Sequence, residues 1–311
     1  MTQGELNASL PRLKEAFSRA APFRHVIIDD FLDPALARTI LEEFPRPGEM
    51  RQHGGDLAVL KGFQISPRDE RYAAKPSLGA MFAFLHSLEW RTWAAELCGE
   101  KEPLLCDPDY IGSGLLAAYD DGIHRIHLDR NRHPNGFFYP RLILLLYFNR
   151  EWRPEYGGAL ELWDKRIRRA TSIEPLFNRC VIFENTGRAY HGISDVHLPA
   201  GMARRALNFY YYTPDVPAGE RDAFIHDTEF FPRPEERLGY WMKRARSNFP
   251  FGLVSALMHQ WNPTARLYRS IRRAKRGGNK PEAGNRAELL KTWRQYNNTP
   301  IPGPTNESLA K

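Results

Sequence analysis

The 311-residue sequence has only three cysteines, Cys98, Cys106 and Cys180, and no CxxC pair. That scarcity argues against a disulfide framework and a cysteine-only zinc site, and it makes a reducing, cytoplasmic compartment the expectation. No apolar run reaches the roughly 18 residues of a membrane-spanning helix. The start, MTQGELNASLPRLKEAF, has no basic segment leading into an apolar one, so no secretory signal is expected. No internal repeat is found.

What is present suits an ordinary globular chain, with 42% hydrophobic and 26% charged residues. The length allows one large domain with appendages or two small ones. The net charge of +7 is uneven. From Arg237 onward there are 15 Lys and Arg against 3 acids, a balance of +12, so the rest of the chain stands at −5. A mildly acidic body followed by a basic end is the first sign of organisation.

Leu6, Leu10, Leu13 and Phe17 are spaced for one face of a helix over 4–20. HVIID predicts a short strand over 25–29, and the next helix is capped by Asp33 with Pro34 in its first turn. The stretch 47–75 reads as loop, and 77–98 as a second helix. After Pro108 come short strands, GLLAAYD, RLILLLYFN, GGALELWD, RCVIFEN and ARRALNFYYYTP, separated by Gly, Pro, Asn and Asp. This texture predicts a mainly β fold, an antiparallel sandwich or jelly roll with helices outside, ending near 217. Helical segments are expected around 236–246 and 264–276, and NNTPIPGPTNESLAK reads as a poorly ordered tail.

The chemistry concentrates in HRIHLDRNRHPNGFFYPRLILLLYF, residues 124–148. His127 and Asp129 form an HxD unit, whose side chains share a face if the backbone is extended. Alone this is weak. His191 follows the apolar strand over 180–183, and Arg204 lies thirteen residues later in ARRALNFYYYT. Two histidines and one carboxylate make a facial triad that leaves three positions open on Fe(II). An arginine on a neighbouring strand suits a dicarboxylate co-substrate. Adjacent strand residues face opposite ways, so only one of Arg204 and Arg205 can enter the pocket. Periodicity leaves that choice open.

These motifs, together with PFRHVIIDDFLDP, YFNREW leading into YGGALELW, and YHGISDV, resemble the Fe(II)- and 2-oxoglutarate-dependent dioxygenases of the prolyl-4-hydroxylase-like branch. The resemblance spans 23–214. It implies a double-stranded β-helix, a cupin-like jelly roll, with its core over about 108–214. Flanking it are an N-terminal helix (1–22) and a basic, partly helical extension (218–311), which leaves 23–217 as the catalytic domain. It further implies that His127, Asp129 and His191 hold iron and that Arg204 rather than Arg205 binds the distal carboxylate of 2-oxoglutarate. Tyr147 matches a tyrosine that reaches the same carboxylate, and Tyr119 one that lines the co-substrate pocket. Asn208 stands where the family often has a hydroxyl residue. The implied reaction hydroxylates a C–H bond with O2 and releases succinate and CO2, with ascorbate as the reductant. Related halogenases lack the carboxylate, so Asp129 favours hydroxylation.

The branch resemblance implies a prolyl residue of a protein or peptide as substrate. The alternatives are a free amino acid, a natural-product intermediate or a saccharide. In another class stands a non-catalytic jelly roll that binds metal or a polyanion. Arg125, Arg130, Trp163 and Arg188 are candidates for the substrate pocket, each weighed against a solvated or core role. His124 and His133 are read as rim or solvated residues, and His197 as a competitor to His191. Gly157 and Gly158 are assigned to a tight turn or close backbone approach. The basic stripe from Arg266 to Arg276 is a solvated face or a contact for a polyanion or an anionic membrane surface. No nucleic-acid module is recognisable, so sequence-specific binding is not expected.

Overall fold

The structure is a computed structural model that describes residues 3–53, 60–69, 75–217, 226–236 and 283–301. Among them are thirteen strands: β1 (His25–Ile28), β2 (Arg51–His53), β3 (Leu60–Ile65), β4 (Leu105–Cys106), β5 (Gly114–Ala118), β6 (Ile123–Leu128), β7 (Tyr139–Tyr147), β8 (Leu160–Trp163), β9 (Ala170–Ile173), β10 (Cys180–Glu184), β11 (Tyr190–Ile193), β12 (Arg204–Thr213) and β13 (Glu229–Phe230). The helices are α1 (Gln3–Arg19), α2 (Pro34–Glu43), α3 (Pro76–His86), α4 (Leu88–Cys98) and α5 (Ala283–Asn298). None is long and apolar enough to cross a membrane.

The strands run in the order β1-β10-β7-β12-β5-β3-β6-β11-β8-β9 and form two sheets. Strand β3 joins them. Its end pairs with β5 through Phe63, Gln64 and Ile65, and its start pairs with β6 through Leu60 and Lys61. This strand falls inside 47–75, where the sequence predicts loop. Interrupted by Gly62 and charged at Lys61, it shows no clean two-residue alternation. Its pairing partners, rather than its own pattern, hold it extended.

The apolar run in β7 is explained by burial on both faces. Leu142, Leu144, Leu146 and the following Phe148 pack in the core beneath the helices, whereas Ile143 and Tyr147 face the space between the sheets. Strand β12 divides likewise, with Leu207, Phe209 and Tyr211 on the helix side and Ala206, Tyr210 and Tyr212 on the inner side. Leu6, Leu13 and Phe17 of α1 enter the same helix-side core, and the Trp93 indole N–H donates to the Leu6 carbonyl at 3.0 Å.

Asp33 caps α2 as expected, accepting from the amides of Ala35 at 2.8 Å and Leu36 at 3.1 Å. The single helix expected over 77–98 is two. Ser87 adopts φ −57° and ψ 146°, and its hydroxyl accepts from the Trp90 amide at 3.2 Å to start α4. A serine between apolar positions keeps the helical period while its side chain caps a new helix, so periodicity could not reveal the break.

Helix α5 lies where the sequence predicts only basic extension and tail. Trp293 stacks on Phe138 with centroids 3.7 Å apart and rings 6° from parallel, and its edge meets His133 and Tyr212. The Asn297 amide brackets Cys106, accepting from its N–H at 2.8 Å and donating to its C=O at 2.9 Å, as a neighbouring strand would. Trp293→Ala should destabilise the protein by about 3–5 kcal/mol, the cost of emptying an aromatic site. The check is urea denaturation, read as a lowered midpoint with unchanged slope. The helices expected around 236–246 and 264–276, the basic stripe with them, lie outside the described residues, as does the tail from 302 onward.

Candidate active site

Strands β6 and β11 are antiparallel neighbours, and His127 is directly opposite His191. That register brings together two histidines separated by 64 positions in the chain. Their ring centroids are 4.1 Å apart. Asp129 follows β6 immediately, with Oδ1 at 3.6 Å from His127 Nε2 and Oδ2 at 3.5 Å from His191 Nε2. All three residues are buried and offer ligand atoms within 4.8 Å of one another.

The imidazoles are held in one tautomer. His127 Nδ1 donates to the Arg125 carbonyl at 2.9 Å, and His191 Nδ1 donates to the Ala189 carbonyl at 2.9 Å. A carbonyl can only accept, so the proton sits on Nδ1 and each Nε2 lone pair faces Asp129. Burial first, and the nearby His191 second, push the His127 pKa down to about 4. A neutral ring with its free nitrogen turned inward is ready to ligate a metal. Two nitrogens and one carboxylate, clustered on one side, suit Fe(II).

Sequence reasoning missed a partner of this cluster. The Tyr210 hydroxyl donates to Asp129 Oδ2 at 2.7 Å. Burial pushes its phenol far up, with the Asp129 charge adding to the shift, so it stays a donor. On β12 it shares the inner face with Arg204, Ala206 and Asn208, a signal available from alternation but lost in the run FYYYT. Tyr210→Phe should weaken Fe(II) binding about 10–100-fold, as loss of an outer-shell partner does. Equilibrium dialysis reads this directly, and an affinity equal to wild type would remove Tyr210 from the metal site.

A cavity of about 300 Å³ opens from the cluster between the sheets, lined among others by Gln64, Ile111, His124, Arg130, Asn208 and Phe230. Arg204 also lines it, although only 3% exposed. Its Nε donates to the Gly158 carbonyl at 2.5 Å, and its guanidinium carbon lies 5.1 Å from the Tyr147 ring centroid. Among the described residues, Arg204 Nη2 and the Tyr147 hydroxyl are both buried with no third group to hydrogen-bond, while the Arg204 charge draws the Tyr147 phenol partly back from the rise that burial gives it. Two orphaned donors side by side at a buried cation form a cradle for a carboxylate, so the residues present fit 2-oxoglutarate. Gly158 leaves the room: with φ +66°, a Cβ there would stand 2.9 Å from Arg204 Cδ. Gly157, at φ +63°, would meet the Asp195 carbonyl oxygen at 1.9 Å, so close approach explains both glycines.

The choice between the paired arginines follows from the register. Arg204 pairs with Ala118 and Arg205 with Ala117, and the Arg205 guanidinium lies 5.9 Å from the Phe44 ring on the helix side. Tyr119, two residues beyond Ala117, is on the Arg205 side. It packs against the helix-side core, and its pKa, raised by burial, is drawn back by the Arg205 charge. The expectation that Tyr119 lines the co-substrate pocket is therefore corrected. Asn208 does line the cavity, with its amide donating to the Gly112 carbonyl at 3.1 Å.

Of the four candidates for the substrate pocket, only Arg130 lines the cavity. Arg125 is ion-paired with Glu236. Trp163 packs with Ile126 and Ile167, its indole donating to Glu161, and Arg188 is exposed. His124, read as a rim residue, is instead next to the cluster: its Nε2 is 3.3 Å from His127 Nε2. His133 is structural, buried with Nε2 at 3.1 Å from Asp107 Oδ2, and His197 is exposed outside the cluster.

The segment 226–236 also reaches the site. Phe230 pairs with His127 and Glu229 with Leu128, so β13 forms a strap along β6. The Phe230 ring is 5.5 Å from that of His127 and 6.3 Å from that of His124. Arg233 pins the strap to Glu161 at 2.6 Å and to the Ile193 carbonyl at 2.7 Å. A two-residue strand leaves no periodicity to read.

Residues 114–212 match the model of the family described as "2OG-Fe(II) oxygenase superfamily". Among solved structures, a prolyl 4-hydroxylase from Phytophthora capsici is similar at 17% identity and a TM-score of 0.52, covering 95% of each chain. A prolyl-4-hydroxylase from Pseudomonas putida shares 20% identity at a TM-score of 0.47, over 66% of this chain and 100% of its own. A prolyl hydroxylase from Trichoplax adhaerens, solved with a hypoxia inducible factor peptide fragment, shares 15% at 0.49, over 68% and 94%. At 17% identity the likeness to the Phytophthora capsici structure speaks for the fold alone.

Proposed function

We propose that this chain is an oxygenase of the 2OG-Fe(II) superfamily, whose model matches residues 114–212, and that it hydroxylates an unactivated C–H bond. The observation that carries this reading is the pair of orphaned donors, Arg204 Nη2 and Tyr147 OH, beside a buried His127, Asp129 and His191 cluster. His127, Asp129 and His191 would hold Fe(II), and Arg204 with Tyr147 would hold the distal carboxylate of 2-oxoglutarate. Bound there with O2, these groups supply the oxidising power for the C–H bond, and 2-oxoglutarate is converted to succinate and CO2.

The chain's own residues bind, orient and shield. The carbonyls of Arg125 and Ala189 fix the imidazole tautomers, and Tyr210 fixes Asp129. Gly158 fixes the Arg204 guanidinium from behind, which leaves Nη2 for the ligand. Phe230 on the strap and the apolar walls at Ile111, Ile123 and Leu145 keep bulk water from the cluster.

For the substrate, the prolyl hydroxylases of similar fold favour a prolyl residue. The second reading, a free amino acid, natural-product intermediate or saccharide, is supported by the strap that covers the His127 strand. The test is succinate formation from 2-oxoglutarate with Fe(II) and ascorbate, comparing capped prolyl peptides with small molecules of the second group. Stimulation by the peptides alone supports the first reading, and by small molecules alone the second. If no succinate forms even in uncoupled turnover, the enzyme reading fails.

A further inference from the structure

Besides the metal cluster and Arg204, one charged residue lines the cavity among the described residues: Arg130, next in sequence to Asp129. Its carbonyl accepts from Asn185 Nδ2 at 2.9 Å, which anchors the backbone while leaving the guanidinium uncommitted. Among the described residues that guanidinium makes no ion pair. The neighbouring cations differ, since Arg125 is paired with Glu236 and Arg233 with Glu161. Arg130 is half-buried, and its charge reaches another lining residue: the Tyr212 phenol, raised by burial and by Asp107, is drawn partly back by Arg130.

We infer that Arg130 receives an anionic group of the substrate, a carboxylate or a phosphate, close to the carbon that is oxidised. The inference rests on the iron and 2-oxoglutarate reading above and deepens it by a charge argument. With both groups in place, the divalent metal offsets the dianionic co-substrate, and Asp129 offsets Arg204. Among the described residues, the charge left over at the lining is that of Arg130. A cation in a cavity walled by Ile111, Ile123, Leu145 and Phe230 is poorly solvated and gains most from an anion that brings its own charge into that cavity.

The strap supplies a second polar contact. It runs antiparallel to β6, with Glu229 opposite Leu128 and the His226 amide donating to Asn131 Oδ1 at 3.0 Å. That register sets Thr228 alongside the 129–130 backbone, and Thr228 also lines the cavity. A guanidinium fork with a hydroxyl beside it suits a carboxylate or phosphate rather than a neutral amide. A capped prolyl residue has no charge to offer Arg130, so the inference favours a small anionic substrate such as a free amino acid or a phosphate ester.

The experiment titrates the full-length protein by calorimetry, with Mn(II) as a redox-silent stand-in for iron. In the first arm 2-oxoglutarate is added; if it does not bind the wild type, the iron and 2-oxoglutarate reading falls and takes this inference with it. In the second arm, acetate, inorganic phosphate and neutral acetamide are titrated into the loaded protein. One acetate or phosphate should bind and acetamide should not. The tighter of the two anions identifies the carboxylate or the phosphate source. Arg130→Gln should weaken that anion at least ~10-fold, Arg130→Lys should retain most of the affinity, and both should leave 2-oxoglutarate binding unchanged. Overturning results, with 2-oxoglutarate bound, are no anion binding, acetamide binding as well as acetate, or equal anion affinity in Arg130→Gln.

Discussion

Replacing Asp129 with alanine should abolish succinate formation and lower Fe(II) affinity by more than the ~100-fold that loss of an outer-shell partner can cost. Asp129 is the carboxylate of the cluster, with its two oxygens at 3.6 and 3.5 Å from the two imidazole nitrogens. Without it, two neutral rings remain, and no anionic ligand balances the metal charge. The buried Tyr210 hydroxyl also loses its acceptor. The fold itself should survive, because the β6 and β11 pairing is made by backbone groups. Metal content after dialysis and succinate release, with circular dichroism to verify folding, measure this. A folded variant that keeps iron and turnover would mean that the cluster is not the metal site.

The second large effect separates two adjacent arginines. Arg204→Ala should weaken 2-oxoglutarate binding by on the order of 10²–10⁴-fold, from the roughly 3–5 kcal/mol lost when one partner of a buried charge pair is removed. Arg205→Ala should change it by less than about threefold, as expected for a residue across the sheet from the ligand. The contrast follows from the register, since Arg204 pairs with Ala118 and opens on the cavity whereas Arg205 pairs with Ala117 and lies over Phe44. Tyr147→Phe, which keeps the ring and deletes the orphaned hydroxyl, should cost less than Arg204→Ala because it removes one neutral donor. Similar losses in the two arginine variants would show that the carboxylate is not held from the Arg204 face.

The parts of the site that could be read from sequence are those where strand alternation or ligand chemistry speaks locally. The HLD unit, the returning His191 and the two-sided burial of RLILLLYF all have this character, and the structure brings them together as a cross-strand pair and a wall. Tyr119 shows the limit. It follows β5, and its face is set by the register that pairs Ala117 with Arg205, which no single strand announces. His124 reads as a loop or rim histidine because the sequence places HxD only at the start of a strand or in the loop before it, whereas β6 already includes residue 124. In the structure the pairing of β6 with β11 shifts register between His191 and Ile193, the latter opposite His124. Tyr210 was hidden among three consecutive tyrosines. Helix α5 and the strap escaped for a different reason. Each holds to the body through a few contacts, the Trp293 stack, the Asn297 bracket and the Arg233 pair, and leaves little periodic trace.

On the proposed function, 2-oxoglutarate completes an iron site built on His127, Asp129 and His191. Anaerobic titration of 2-oxoglutarate with and without Fe(II), on the wild type and on His127→Ala, puts that to the test. One equivalent should bind the iron-loaded wild type, with binding far weaker without iron or in His127→Ala. Binding that is indifferent to both, or absent from the iron-loaded wild type, would contradict it.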